Sequence, residues 1–153
     1  MIRRAGFSLI EMLIVVVVIG LMTLIALPRL ADAFAQNNLN STRAKVISLY
    51  SVARATASGS SRTTVLHVAG NQAYVTASPR MVPVAGSDID TITKPESIYT
   101  EYGVTANVLP AGRDSILIDQ SGLGRNGSNT TIILSKSGRA DTITISQYGQ
   151  IQK

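Results

Sequence analysis

The sequence predicts an α+β protein in which a long N-terminal transmembrane and stalk helix packs on a C-terminal antiparallel β-sheet head. Three observations predict this class. An apolar run extends from Phe7 to Leu27, apolar side chains then recur at helical spacing as far as Ala57, and β-branched segments separated by glycine turns follow. The predicted divisions are a leader over residues 1–6, a transmembrane helix over 7–27, a stalk helix over 28–57 and a β-rich head over 58–153.

Composition restricts the possible functions. The chain has 153 residues and no cysteine, which excludes disulfides, thiolate metal sites and cysteine nucleophiles. The formal net charge is +5, but residues 58–153 hold eight basic and seven acidic side chains, so the head is nearly neutral. No group of side chains has the spacing of a catalytic, metal or cofactor site, so we expect no enzyme activity, no metal and no cofactor. Strong binding of nucleic acid is likewise not expected.

The N-terminal run has the length of a membrane span. Between Phe7 and Leu27 it is interrupted only by four residues, which are Ser8, Glu11, Gly20 and Thr23. As a helix it would be about 30 Å long, which is the thickness of the hydrocarbon core. Arg3 and Arg4 precede the run, and this positive flank predicts a cytoplasmic N-terminus.

Two simpler interpretations of this run remain open at this point. A secretory signal peptide could be cleaved at "ADA" (31–33) or "AFA" (33–35), and a plain membrane anchor would also explain the length. Neither explains Glu11, because a charged residue at the centre of a spanning helix costs about 2.5 to 3.5 kcal/mol and usually has a function. Cleavage between Gly6 and Phe7 would supply a partner, since a free α-amino group has a pKa of about 7.7 to 8.0 and is largely protonated at neutral pH.

The stretch "RRAGFSLIEMLIVVVVIGLMTLIALPRL" resembles the class III signal and N-terminal helix of type IV pilins and type II secretion pseudopilins. The resemblance implies that a prepilin peptidase cuts after Gly6 and that Phe7 becomes the N-methylated terminus. It further implies that Glu11 pairs with the amine of an adjacent subunit during assembly, and that Pro28 is the family's helix-kinking proline.

The same resemblance implies partners and a location. The partners are other pilin or pseudopilin subunits, the prepilin peptidase and an inner-membrane assembly platform. The location is the bacterial inner membrane, crossed once with the N-terminus cytoplasmic and the head periplasmic, from which the subunit is extracted into a pilus or pseudopilus.

Residues 28–57 predict a stalk helix. Pro28 cannot bond to the carbonyl of Leu24, which bends or loosens the helix without necessarily ending it. The apolar stripe consists of Leu39, Val46, Leu49, Tyr50, Ala53 and Ala57. The polar residues available for the solvent side are Asn37, Asn38, Arg43, Lys45 and Arg54. We expect the helix to end near Ala57, at the breaker "SGSS" (58–61).

The sequence of the head, residues 58–153, predicts several strands. "RTTVLHVAGNQAYVTAS" forms two of them, joined at Gly70-Asn71. Weak strands are expected at Ser97–Tyr102 and Val104–Leu109, within a long irregular segment over residues 80–110. Three C-terminal strands follow at 115–119, 130–135 and 141–146, with Ile143 and Ile145 facing the core. This strand and glycine spacing resembles the C-terminal half of the GspH/FimT-type minor pseudopilin domain.

Two features of the head have residue types that occur in binding sites. "GLGRNG" (122–127) fits the phosphate-binding pattern G-x-G-x-x-G, but a strand follows where that chemistry needs a helix, so a turn is favoured. His67 is the only histidine and lies between Leu66 and Val68, which indicates a strand residue and not a metal ligand.

The predicted function is therefore structural: a minor pseudopilin or minor pilin that assembles through its N-terminal helix. The alternative is a DNA-binding minor pilin of a natural-transformation system. Such a protein would carry a basic Gly-Arg-x-Arg tail, whereas this chain ends "YGQIQK". Turns could still gather weak DNA contacts from four cations, which are Arg125, Lys136, Arg139 and Lys153.

Overall fold

The computed structural model describes residues 8–78 and 89–152 and confirms the α+β class. Its elements, in chain order, are α1 (Leu9–Ser60), β1 (Thr64–Ala69), β2 (Gln72–Ala77), β3 (Asp90–Thr91), β4 (Glu96–Ser97), α2 (Ile98–Tyr102), β5 (Thr105–Leu109), β6 (Ser115–Ile118), β7 (Thr130–Lys136), β8 (Arg139–Ile145) and β9 (Ile151–Gln152). The chain forms two compact units, Met1–Ala35 and Gln36–Lys153, which are described separately below.

Helix α1 runs past the predicted end at Ala57 and stops at Ser60. Two serines of the expected breaker bond back into the helix: the Ser58 hydroxyl donates to the Arg54 carbonyl at 3.1 Å, and the Ser60 hydroxyl donates to the Thr56 carbonyl at 2.5 Å. Both serines are therefore part of the last turn of the helix. The backbone leaves the helix at Ser61, where φ is 51°.

The described residues of the head form two antiparallel sheets where the sequence predicted one. The first has the order β3-β2-β1-β6, and β4 pairs with β2 beside β3. The second has the order β5-β7-β8-β9. In the second sheet Ile132 pairs with Ile143 and Thr130 pairs with Ile145, which sets the β7–β8 register. Both predicted isoleucines, Ile143 and Ile145, are buried.

The predicted hairpin between β1 and β2 is confirmed. Gly70 and Asn71 both have positive φ, at 57° and 62°, as a tight two-residue hairpin requires. Asn71 also joins the two sheets, because its side-chain Oδ1 accepts the backbone N–H of Ala106 on β5 at 2.9 Å. Its backbone carbonyl accepts the N–H of Ile98 at 2.8 Å. Asn71 therefore connects the β1–β2 hairpin to both β5 and α2.

The predicted strand at Ser97–Tyr102 is wrong, because most of this segment forms the short helix α2. The Ser97 side chain caps the first turn by accepting the N–H of Thr100, and Gly103 ends the helix with φ of 63°. These two caps outweigh the weak strand preference of the intervening residues. The strand expected at Val104–Leu109 is confirmed as β5. Of the segment expected to be irregular, residues 80–88 lie outside the described residues.

The apolar stripe of the stalk packs into the head as predicted. All six of its members are buried, and Tyr50 is the largest fully buried side chain among the described residues. They share one core with residues of both sheets, such as Leu66, Ile116, Ile132 and Leu134. Burial of this stripe, at about 25 cal/mol per Å² of apolar surface, is the main force that holds helix and sheets together.

The polar residues beside the stripe are not simply solvated, which corrects the expectation of a wet face. Four of them bond to the head at the rim of the core. The Arg43 guanidinium pairs with Asp141 at 2.8 Å, and the Lys45 ammonium pairs with Glu96 at 2.5 Å. The Asn38 amide donates to the Tyr102 carbonyl at 3.1 Å, and Nε of Arg54 donates to the Gly122 carbonyl at 2.8 Å.

Candidate functional site

The predicted processing residues, Gly6 and Phe7, lie outside the described residues, so their roles stay predictions. The description begins at Ser8, whose carbonyl accepts the backbone N–H groups of Glu11 at 3.1 Å and Met12 at 3.2 Å. Glu11 lies in the first turn of α1. The partial positive charge of a helix N-terminus favours a carboxylate there, and a cationic group placed beside this turn would favour it further.

The N-terminal part of α1 exposes a continuous apolar surface. Its large apolar side chains from Leu9 to Leu30 are between 43% and 83% exposed. Between Glu11 and Arg29 it carries no charged residue, a distance of about 27 Å along the axis. Within the part of the chain that the structure describes, α1 is the one helix long and apolar enough to cross a membrane, by length and composition. Lipid or other apolar helices must cover such a surface.

Pro28 lies inside α1, and the helix continues on both sides of it. Because proline has no N–H, the carbonyl of Leu24 loses its usual helical donor. The surface around this point is concave, with a groove of about 650 Å³. It is lined by Met22, Thr23, Ile25, Ala26, Leu27, Arg29, Leu30 and Ala33.

Two of the predicted DNA-contacting cations, Lys136 and Arg139, lie together. They are register partners at the β7–β8 turn and line one open groove of about 440 Å³. Both are already engaged within the head. The Lys136 ammonium donates to the Tyr102 carbonyl at the C-terminus of α2, and the Arg139 guanidinium donates to Oε1 of Gln36 at 3.4 Å.

The third cation, Arg125, lies at the other end of the head. Its loop, between β6 and β7, is reached from Arg54, which bonds to Gly122. Gln36, which Arg139 contacts, and Arg54, which contacts the loop of Arg125, lie at the two ends of the head. They are separated by about 27 Å along α1. The turns therefore do not gather Arg125 with Lys136 and Arg139, because the strands separate the two sets of loops. Lys153 lies outside the described residues.

"GLGRNG" is a loop followed by strand β7, which confirms the turn interpretation. The glycine at position 124 has a packing reason. A Cβ placed there would approach the backbone N of Gly149 to 2.8 Å and its Cα to 2.9 Å, so two loops touch through their backbones. Close backbone approach, and not phosphate binding, explains this glycine.

The sequence interpretation missed the partner of Tyr50, which had been assigned only to the apolar stripe. Its buried hydroxyl donates to the Gly149 carbonyl at 2.8 Å, and burial raises the pKa of this phenol. Tyr148, which precedes Gly149 in the chain, is 66% exposed. The sequence held a signal for the exposure of Tyr148. This tyrosine directly precedes a turn glycine, and a side chain at the tip of a loop has no core position to occupy.

His67 is a satisfied strand residue, as predicted. Its ring stacks on Tyr74 with centroids 4.6 Å apart, and its Nε2 lies 2.9 Å from the Thr76 hydroxyl. Partial burial lowers the pKa of His67, so it is neutral at pH 7. This environment is that of a structural side chain.

Comparison with known proteins identifies the N-terminal segment. Residues 1–27 match the family model described as the prokaryotic N-terminal methylation motif. The head resembles two crystal structures of the type IV minor pilin FimU of Pseudomonas aeruginosa, both at 17% identity. One comparison covers 76% of this chain and 88% of FimU with a TM-score of 0.58, and the other covers 74% and 90% with a TM-score of 0.54.

The chain therefore carries the prokaryotic N-terminal methylation motif and has a fold like that of FimU. This fold consists of a long apolar N-terminal helix followed by an antiparallel β-sheet head. The chain is also similar to the type IV narrow pilus major component PilA5 of Thermus thermophilus. That similarity is 45% identity over 60 residues, which is 37% of this chain and 52% of PilA5, so the chain spans about half the length of this relative.

Proposed function

We propose that this chain is a subunit of a type IV pilus that is anchored in the inner membrane by α1 and polymerises through the same helix. One observation carries the proposal. The exposed apolar surface of α1 lies largely within the segment that matches the methylation motif, and it contains a single carboxylate, Glu11, in its first turn.

The physical argument starts from the cost of that surface. Side chains from Leu9 to Leu30 remain mostly exposed in the single chain, and each large apolar side chain gains about 1.5 to 3 kcal/mol on burial. Lipid covers them before assembly, and helices of neighbouring copies cover them in a filament. One surface therefore serves both states, and transfer between the states leaves no apolar side chain in water.

Glu11 supplies the register of this packing. An apolar helix can slide along identical helices with little change in free energy, whereas a carboxylate in an apolar environment is strongly stabilised at one position, beside a cation. We propose that the cation is the α-amino group of Phe7 on a neighbouring copy. This requires cleavage after Gly6 by a prepilin peptidase, with Phe7 as the methylated terminus.

A pilus is favoured over a type II secretion pseudopilus because PilA5 and FimU are both named as components of type IV pili. DNA binding is not proposed. Arg125 lies at one end of the head, whereas Lys136 and Arg139 lie at the other and already bond to Tyr102 and Gln36.

The processing step has a direct test. Intact mass measurement of the membrane-extracted chain should give a mature protein that begins at Phe7 and carries one added methyl group. A terminus at Phe34 or Gln36, after one of the two alternative small-residue sites, would instead support an ordinary signal peptide.

The assembly step is tested by Glu11→Gln, which removes the charge and preserves the shape. We expect this variant to accumulate in the membrane at least as well as the parent, because an insertion cost is removed, but to be lost from sheared filaments. Glu101→Gln is the matched control, since Glu101 is an exposed carboxylate on α2. Equal recovery of both variants in filaments would contradict the role of Glu11.

A further inference from the structure

An exposed tyrosine and an exposed arginine lie side by side at the end of the head where α1 finishes. Tyr148 is 66% exposed, and it shares an open groove of about 350 Å³ with Arg125. The other residues that line this groove are Gly124, Gly127 and Gln147. Neither the packing of the core nor the polymerisation of α1 uses these side chains.

Hydrogen bonds from backbone N–H groups hold the loops that carry the side chains of the groove. The Gly124 N–H donates to the Tyr148 carbonyl at 3.3 Å, which joins the two loops directly. The Arg125 N–H donates to the Leu117 carbonyl at 3.0 Å. The N–H of Gln147 donates to Oδ1 of Asn129 at 3.1 Å. A loop whose backbone is already ordered lowers the entropic cost of binding a ligand.

A second groove adjoins the first across Arg125. It has a volume of about 390 Å³ and is lined by Thr63, Asp119, Gln120, Ser121 and Arg125. Asp119 keeps its negative charge, because the hydrogen bond from the Ser121 hydroxyl lowers the pKa of its carboxyl group. The positive charge of Arg125 lowers this pKa further. Arg125 thus lines both grooves, and its positive charge is partly offset by Asp119.

We propose that these two adjoining grooves form a binding site for an oligosaccharide. The Tyr148 ring would support the C–H face of one sugar, and Arg125 with the amide of Gln147 would bond to its hydroxyl groups. The hydroxyl and amide groups of Ser121 and Gln120 would hold the next sugar. Each groove has the volume of a small ligand site, and the shared arginine makes the site continuous.

The charge balance favours a sugar over a nucleic acid. Binding of a phosphate chain gains most of its free energy from several cations that displace counterions. This site offers Arg125 with Asp119 beside it, and its remaining lining groups are neutral amides, hydroxyls and glycine backbone. Such groups suit neutral or singly acidic sugar rings.

The test uses the full-length protein in a detergent that has no sugar headgroup. Three probes are titrated while saturation transfer from protein to sugar is followed by NMR: maltotriose, the trimer of N-acetylglucosamine and the trimer of galacturonic acid. We expect saturable binding of at least one probe. Tyr148→Ala should weaken it by about tenfold, the contribution of one stacked aromatic ring, whereas Tyr148→Phe should retain it. Tyr99→Ala is the matched control, because Tyr99 is 56% exposed on α2 and should have no effect.

Each other outcome overturns the proposal. Absence of saturable binding by all three probes removes it, and so does equal weakening by Tyr148→Ala and Tyr99→Ala. Tight binding of a thymidine oligonucleotide that is lost in Tyr148→Ala would assign the grooves to nucleic acid. Circular dichroism of each variant establishes that the fold is retained. The test does not depend on filament assembly, so its result is separate from that of Glu11→Gln.

Discussion

The hydrogen bond between Tyr50 and Gly149 connects the stalk helix to the last turn of the chain, and Tyr50→Phe isolates its contribution. The tyrosine is 1% exposed, and its hydroxyl donates to the Gly149 carbonyl at 2.8 Å. Phenylalanine preserves the ring and its packing. The substitution therefore removes one hydroxyl group and leaves a buried carbonyl without this donor.

The expected loss follows from that geometry. A buried polar group that loses its partner costs about 1 to 3 kcal/mol in the free energy of unfolding. For a head of this size, each kcal/mol corresponds to about 4 °C in Tm, so Tyr50→Phe should lower Tm by about 4 to 12 °C. The β9 pairing should loosen first, because Gly149 lies in the turn two residues before that strand.

Thermal unfolding of the full chain in detergent, followed by the β-sheet signal in circular dichroism, measures this loss. Tyr99→Phe is the control, since Tyr99 is 56% exposed and its hydroxyl faces water. If the two variants differ by less than about 0.3 kcal/mol, the buried hydroxyl contributes no net stability and the reasoning from an unsatisfied carbonyl is refuted.

Three further predictions concern the head. Asn71→Gly should destabilise it by about 1 kcal/mol in chemical denaturation, because the N–H of Ala106 loses its acceptor, whereas Asn71→Asp keeps an acceptor oxygen and should lose less; equal losses would contradict the link between the sheets. Gly124→Ala should lower Tm more than Gly127→Ala, since only the former Cβ would meet backbone within 3 Å, and a smaller effect at position 124 would refute the close approach. The pKa of His67 is lowered on folding, so the unfolded chain binds the proton more readily and stability should fall as pH drops below about 6.5. His67→Gln should flatten this pH dependence, which is measured as Tm between about pH 7.5 and about pH 5. An unchanged slope in the variant would argue against a contribution from His67.

Some features follow from local pattern, and the sequence predicted them well. The apolar run around Val15–Val18, the helical stripe ending at Ala57 and the alternation of β8 each repeat a geometric period of the backbone. The hairpin at Gly70-Asn71 depends only on which residues tolerate positive φ. In these cases the residues that determine the structure are neighbours in the chain, so no tertiary information was needed.

Predictions failed where a local preference competed with a cap or a distant contact. The segment after Ser97 has a weak strand pattern but forms α2, which Ser97 caps at one end and Gly103 at the other. These caps satisfy backbone groups of the segment, whereas its pairing with β2 involves only two residues, Glu96 and Ser97. The helix ends at Ser60 and not near Ala57, and the hydroxyls of Ser58 and Ser60 bond to carbonyls one turn earlier. Both corrections involve side chain to backbone bonds, which hydrophobic periodicity does not report.

The sequence by itself determined the membrane-length helix, its single carboxylate at Glu11 and the β-rich character of the head, because each depends on composition and spacing along the chain. Only the tertiary structure decided the positions of the charged and aromatic side chains. It placed Lys136 and Arg139 at one end of the head and Arg125 beside Tyr148 at the other. Strand order and register set those distances, and they arise from pairing between segments far apart in the chain, which no local pattern encodes.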